Sequence, residues 1–380
     1  MRASVAAALM ACGTPQHSTP PYALWGDLRP GQHAVGFEID AIRYEVSSAS
    51  ANTTRVIPTS IWYPAAAASP DGAMPFKHYV AWYDSSHVPP SMARPIASSL
   101  LDQYATGWFA DAKRADVTPL LETRTAAHLG AEGARGRFPL LVYVPGHNGT
   151  PLTHTVTCEF LASRGYIVVS APSHGVGAGE QSFDLAGSEA QLRDVEQLLR
   201  YGLSLPSVDS ARVGAVGFSL GGGLVTLLAM QHSSISAVVS LDGIATLPDS
   251  YFLLADSPSY APATLNAPWL QIRSDRDTTL DLTLLRTWSR SSRTLVTLAG
   301  LDHHDFIASN AIARIVTHQI SPAQQTGYGV STRLLTTFLD AHVRDRGSKA
   351  SGDLSIVERR GVPGEVVQVA RFPAETSVQR

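Results

Sequence analysis

Five residues constrain this chain more than any others: Gly217-Phe218-Ser219-Leu220-Gly221. Before them stands Arg212-Val213-Gly214-Ala215-Val216, a short apolar run with the signature of a buried strand. After them, Gly222 to Met230 reads as a helix that opens on small residues. A strand that becomes a helix in so few residues leaves no room for side chains beside the turn. Glycine two places before and two places after the serine removes those that would collide with the neighbouring strand and helix. The serine oxygen is then presented on strained backbone at the C-terminal edge of the sheet, the arrangement of a nucleophile elbow. The N–H of Leu220, at the helix start, points toward the same space. The pentapeptide alone is common; the strand and helix around it give it meaning.

A regular pattern surrounds the elbow. Leu140 to Val144 reads as a buried strand closed by Pro145-Gly146, and Thr153 to Arg164 as a helix closed by Gly165. Tyr166 to Ser170 is the next strand and Ser188 to Leu203 a long amphipathic helix. Beyond the elbow, strands are expected at Ala237–Leu241, Trp269–Arg273 and Thr294–Leu298, with a last helix over about Ser331–Val343. Strands alternating with helices predict an α/β fold, a mostly parallel central sheet with helices on both faces. Two earlier strands, Val35–Val46 and Arg55–Tyr63, precede a stretch from Ala65 to Arg137 that is too long for a plain loop. That insertion, ahead of the first core parallel strand, is expected either to supply helices covering the site or to lie on the surface with no role in it. Residues 347–380 read as a polar tail with a weak strand-like stretch at Glu365–Val369.

Composition narrows the classes. The chain has 380 residues, 44% hydrophobic and 16% charged, as suits a globular enzyme. A net charge of −3 gives no reason to expect nucleic acid as a partner. Two cysteines, Cys12 and Cys158, allow neither a disulfide framework nor a zinc ligand set. Residues 1–28 are expected to be an export signal and tether: one arginine, then a short apolar run, then small residues. Leu9-Met10-Ala11-Cys12 resembles a lipobox, which would make Cys12 a lipid anchor at the cell envelope. If the start is not a signal, the chain is expected in the cytoplasm.

A serine hydroxyl is a poor nucleophile and needs a base within hydrogen-bond reach. In this architecture the order is serine, acid, histidine. The loop after the last parallel strand holds Asp302-His303-His304-Asp305-Phe306. His303, which opens the loop, is the favoured base and His304 its competitor. Read as metal ligands, His303-His304-Asp305 fail because adjacent side chains diverge. Three aspartates compete for the acid: Asp242 after the strand that follows the elbow, and Asp275 and Asp277 one strand later. Each could equally cap a helix or a loop. The acid's task is to fix the imidazole tautomer and stabilise the imidazolium. The second oxyanion donor is expected from Pro145-Gly146-His147-Asn148-Gly149, with the N–H of His147 best placed to join that of Leu220. Ser173-His174-Gly175 would either line the same rim or be a merely exposed loop.

At this point the chain resembles the α/β-hydrolases through Gly217–Gly222 and Pro145-Gly146-His147. More narrowly, it resembles the platelet-activating-factor acetylhydrolases and dienelactone-hydrolase-like esterases of bacteria. Arg29–Phe37 with Ile61-Trp62-Tyr63-Pro64, Phe160–Tyr166 and His303-His304-Asp305-Phe306 are similar to that group's N-terminal strands, first helix end and His-x-x-Phe loop. The resemblance spans roughly 29–343 and is weakest over 65–137. It implies Asp242 as the acid, 23 residues beyond Ser219 in a Leu-Asp context. The related polyester hydrolases and cutinase-like enzymes would instead place it at Asp277. The domain is therefore expected to run over 29–346 as a serine hydrolase of carboxylic esters, with no dissociable cofactor. A small-molecule or lipid ester is the expected partner, short acyl or phospholipid acetyl esters first and a polyester second. A catalytically silent fold used for binding is the alternative from another class.

Overall fold

The apolar runs fold into one sheet. A computed structural model describes residues 22–47, 52–67, 72–81, 116–175, 181–276, 279–308, 322–345 and 366–375. Within them the strands are β1 (Ala34–Ser47), β2 (Asn52–Ala65), β3 (Ala127–Leu129), β4 (Phe138–Val144), β5 (Ile167–Ser170), β6 (Val208–Phe218), β7 (Ile235–Leu241), β8 (Trp269–Ser274), β9 (Arg293–Leu298) and β10 (Val366–Phe372). Their spatial order is β10-β9-β8-β7-β6-β4-β5-β2-β1-β3. From β5 to β9 neighbours are parallel, while β2 joins β5 and β10 joins β9 antiparallel. The chain leaves β4 toward β5 and then returns across it to β6. This reversal between β4 and β6 opens a crevice at the carboxyl ends of those strands, the place where open α/β sheets bind ligands.

Among the described residues, four longer helices cover the sheet: α1 (Thr155–Ser163), α2 (Leu185–Ser204), α3 (Leu220–Gln231) and α4 (Pro322–Leu339). Strand side chains alternate between the two faces, so each face builds its own core. Leu140, Val142 and Val144 of β4 pack with Leu192, Leu199, Leu224 and Leu228 of α2 and α3. Leu141 and Tyr143 point the other way, into a cluster with Phe160 and Leu161 of α1 and Leu335 and Leu339 of α4. The fold is that of an α/β-hydrolase.

Differences from the sequence reading have local causes. Helix α2 begins before Ser188 because the Asp184 carboxylate accepts the Gly187 N–H at 2.8 Å and caps it earlier. Helix α4 begins well before Ser331, and it runs through Gly327 and Gly329, which look like breaks in the sequence. A β-carbon at Gly327 would overlap the Leu301 side chain, so the glycine lets the helix dock on the loop that follows β9. At the N-terminal end, Leu24, Trp25 and Leu28 are buried, so the packed domain starts before residue 29. At the other end, part of the expected tail is β10, hydrogen-bonded along β9 from Val366 to Phe372.

The described ends of the 65–137 insertion pack on the far flank of the sheet. Residue range 127–129 pairs with β1, and Tyr79 and Ala126 reach α1 through the Glu159 carboxylate. Residues 68–71 and 82–115 of this insertion, expected either to cover the site or to lie on the surface, are outside the described residues, as are the lipobox and Cys12.

Candidate active site

The turn from β6 to α3 holds its shape by exclusion. A β-carbon at Gly217 would overlap the backbone of Gly221, and one at Gly221 would overlap the carbonyls of Val144 and Pro145. At Gly146 it would sit 3.0 Å from the Ser219 β-carbon, so the loop after β4 lies directly against the serine. Ser219 has φ 54° and ψ −121°, and its N–H donates to the Leu241 carbonyl at 2.9 Å. The Leu220 N–H follows at the first turn of α3, where N–H groups have no acceptor inside the helix.

One residue beyond Leu241 the strain recurs. Asp242 has φ 43°, and its N–H donates to the Ile272 carbonyl at 2.7 Å. Its carboxylate is buried. One oxygen accepts the Ser274 N–H at 2.9 Å; the other meets Nδ1 of His303 at 2.6 Å. The His303 ring lies 4.6 Å from the Phe218 ring, beside the serine. Asp242 and His303 therefore come together from the ends of β7 and β9. Asp275 is turned elsewhere and accepts the Gly300 N–H at 2.8 Å. Arg276 pairs with Asp302 at 2.6 Å. Asp277 lies outside the described residues.

The loop that carries His303 is tightly held. Asp302 and Asp305 cap one short turn reciprocally, with the Asp305 carboxylate accepting the Asp302 N–H at 2.6 Å. The Ser274 hydroxyl donates to the Leu301 carbonyl, and the Ala308 N–H to the Thr153 carbonyl at 2.7 Å. His304 stands next door with its pKa lowered to about 4, by burial first and then by the neighbouring His303. It stays neutral across the ordinary pH range. Behind the site, His154 is fully buried against Phe218 and accepts or donates one bond with the Tyr143 hydroxyl at 2.9 Å. Burial pushes its pKa down to about 3.

The loop 145–149 brings its backbone to the same place. The His147 side chain does not turn toward Asp242: its Nε2–H donates to the Gln181 carbonyl at 2.6 Å. Ser173 and His174, read as lining the rim or as an exposed loop, are buried. Among the described residues, three non-glycine positions have positive φ: Asn148, Ser219 and Asp242. All three lie just beyond the carboxyl ends of β4, β6 and β7, and strained backbone of this kind clusters at functional sites. Asn148 and Gln181 were not singled out in the sequence. The Asn148-Gly149 pair, a turn signal, is the feature that could have marked the first.

This elbow, at the reversal point of a parallel sheet, defines a class. The alpha/beta hydrolase family model matches residues 141–358, more than half of the chain, and the chain belongs to that family. Two curated proteins with provisional names are similar to it. One, named a carboxymethylenebutenolidase, from Synechocystis sp., is 27% identical over 164 residues, 40% of this chain and 62% of that protein. The other, named a 1-alkyl-2-acetylglycerophosphocholine esterase, from Arthroderma benhamiae, is 23% identical over 189 residues, 45% of this chain and 48% of that protein. The chain thus spans about half to three-fifths of these relatives. Among solved structures, a ferulic acid esterase from Streptomyces cinnamoneus shares the fold, with a TM-score of 0.58 at 21% identity over 84% of this chain and 93% of that one.

Proposed function

We propose that the chain is a serine hydrolase of carboxylic esters that works through an acyl-enzyme. The observation that carries this is the Asp242–His303 contact at 2.6 Å, set beside the strained Ser219 elbow. In this reading Ser219 Oγ attacks the ester carbonyl carbon while Nε2 of His303 takes its proton. The carbonyl electrons move to oxygen, which the N–H groups of Leu220 and His147 receive. The C–O bond to the alcohol then breaks, and the departing alkoxide takes the proton from His303. Water repeats the sequence on the acyl-enzyme, releasing the acid and restoring Ser219. Asp242 holds Nδ1–H, fixes the tautomer and balances the imidazolium charge.

Short acyl esters, or acetyl esters of phospholipids, are the substrates that fit this reading best. The relative named an acetylglycerophosphocholine esterase supports the second, and a polyester remains the next class to try. Hydrolysis of a p-nitrophenyl ester series of rising chain length reads the acyl preference. Ser219→Ala should lower kcat by about 10⁴- to 10⁶-fold in that assay. Turnover like the unaltered protein's would end the serine reading, whereas an unaltered chain that hydrolyses no ester would leave a binding role for the fold.

Export through the N-terminal segment that precedes the packed domain, with Cys12 as a lipid anchor, belongs to the same proposal. Membrane fractionation of the full chain against Cys12→Ser tests it: an anchored protein should move to the soluble fraction, and an unchanged distribution would refute the anchor.

A further inference from the structure

The loop that would supply the His147 N–H is gripped from outside by one residue, Gln181. Asn148 stands in the left-handed region at φ 51°, and its Oδ1 accepts the Gln181 N–H at 2.7 Å. The Gln181 carbonyl accepts Nε2–H of His147 at 2.6 Å. Both backbone polar groups of Gln181 are thus taken by two consecutive loop residues.

Its side chain turns inward and continues the circuit. Nε2 of Gln181 donates to Oε1 of Gln191 at 2.6 Å and to the Gly187 carbonyl at 3.2 Å, both on α2. Nε2 of Gln191 donates to the Ser173 hydroxyl oxygen. The Ser173 N–H donates to the Gly149 carbonyl at 2.9 Å, and its hydroxyl reaches the Pro145 carbonyl at 3.4 Å. The circuit leaves the loop at 147 and 148, crosses α2, and returns at 149 and 145. Gln181, Gln191 and Ser173 are all buried. In such a low-dielectric setting each bond is costly to break, so the loop is held at both ends.

We propose that this circuit is a clamp that presets the oxyanion loop, with Gln181, Gln191, Ser173 and Asn148 as positioning residues. The inference rests on the serine-hydrolase reading and deepens it. An oxyanion donor helps only if it already points at the place where charge develops, with no reorganisation left to do. A displacement of about 1 Å in such a group can cost on the order of 10²-fold in rate. Asn148 links the clamp to the donor most directly. Its left-handed backbone sets the turn just after His147, and its side chain fastens that turn to Gln181.

Two substitutions at Asn148 separate positioning from folding. Asn148→Gly keeps the left-handed backbone free of strain but removes the acceptor. Asn148→Asp keeps both the acceptor for the Gln181 N–H and a residue that tolerates this conformation, and loses the long Nδ2–H contact to the Gln181 carbonyl at 3.5 Å. The full chain and both variants are compared by p-nitrophenyl ester hydrolysis, by inhibition with a trifluoromethyl ketone that mimics the oxyanion, and by melting. Asn148→Gly should lower kcat about tenfold or more, leave KM within about twofold, and weaken ketone inhibition by the same factor as kcat. Asn148→Asp should restore most of both, and the melting temperatures should stay close. If Asn148→Gly keeps kcat within about twofold, or if Asn148→Asp loses as much, the clamp is wrong. Ser219→Ala in the same assay distinguishes the two failures. An inactive Ser219→Ala beside a fully active Asn148→Gly overturns the clamp alone; an active Ser219→Ala overturns the serine reading and the clamp with it.

Discussion

Asp242 carries two burdens that Asp275 does not. It adopts a backbone conformation that few L-residues tolerate, and it places a buried carboxylate oxygen 2.6 Å from Nδ1 of His303. In Asp242→Asn the amide keeps the shape but favours the wrong imidazole tautomer, so kcat should fall by up to about 10⁴-fold. Asp275→Asn only alters a loop contact to the Gly300 N–H and should stay within a fewfold of the unaltered chain. Side-by-side kcat values with melting curves decide this, and a dead Asp275→Asn beside a live Asp242→Asn would reject the assignment. The two histidines divide in the same way. His303→Ala removes the ring that meets the carboxylate. His304→Ala removes a neutral, half-buried neighbour and should cost less than about tenfold. The sequence could place both histidines in the loop after the last parallel strand, because that loop's position follows from the succession of strands. Which ring turns inward depends on the capped turn made by Asp302 and Asp305, and on Phe218 beneath it. Those contacts join residues far apart in the chain, and a sequence shows no such pairing.

At the scale of elements, α1 is the hub that fastens the N-terminal segment and the insertion to the sheet. Its Glu159 is fully buried and accepts from the Trp25 indole at 2.8 Å, the Tyr79 hydroxyl at 2.7 Å and the Ala126 N–H at 3.2 Å. Removing the carboxylate leaves three buried donors without an acceptor. Glu159→Ala should therefore destabilise the fold by about 3 kcal/mol or more, read by denaturant unfolding. The pH dependence follows from burial, which raises the Glu159 pKa more than its three donors lower it. The folded state then holds this proton more tightly than the unfolded chain does. This group's contribution is greatest below the ordinary glutamate value of about 4.3 and declines as pH rises through the higher folded value. Glu159→Gln cannot ionise, so its stability deficit against the unaltered chain should shrink as pH rises through that window. A deficit that grows instead would contradict the assigned shift. Nothing in the sequence marks Glu159 as more than one polar position on a short helix. Its meaning comes from Trp25 and Tyr79, 134 and 80 residues away in the chain. By contrast, the parallel strands were legible as apolar runs, because burial on both faces demands them.

For the molecule as a whole, the sheet ends where the sequence suggested a tail. β10 covers the edge of β9, the strand that leads into the His303 loop, and the Glu375 N–H donates to the Ser289 carbonyl at 2.7 Å. A strand edge left bare is both unsatisfied and prone to pair with other chains. A chain ending at 345 should melt about 5 °C or more lower and aggregate more readily on heating, since each 1 kcal/mol shifts a domain of this size by about 2–4 °C or less. An unchanged melting curve would mean that β10 is dispensable. Val366 to Val369 looked weak in the sequence because an edge strand needs only one apolar face, and the polar residues before it hide the pairing partner. The parallel character of the sheet and the elbow were readable because strand–helix alternation is local; the spatial order, with its reversal between β4 and β6, follows only from how the strands assemble. All of this converges on one atom, Ser219 Oγ. Reaction of the full chain with a fluorophosphonate, followed by intact mass and peptide mapping, tests it most directly. The account predicts a single adduct per chain, on Ser219, with ester hydrolysis lost in proportion to labelling. No adduct, or an adduct on another residue with hydrolysis intact, would contradict it.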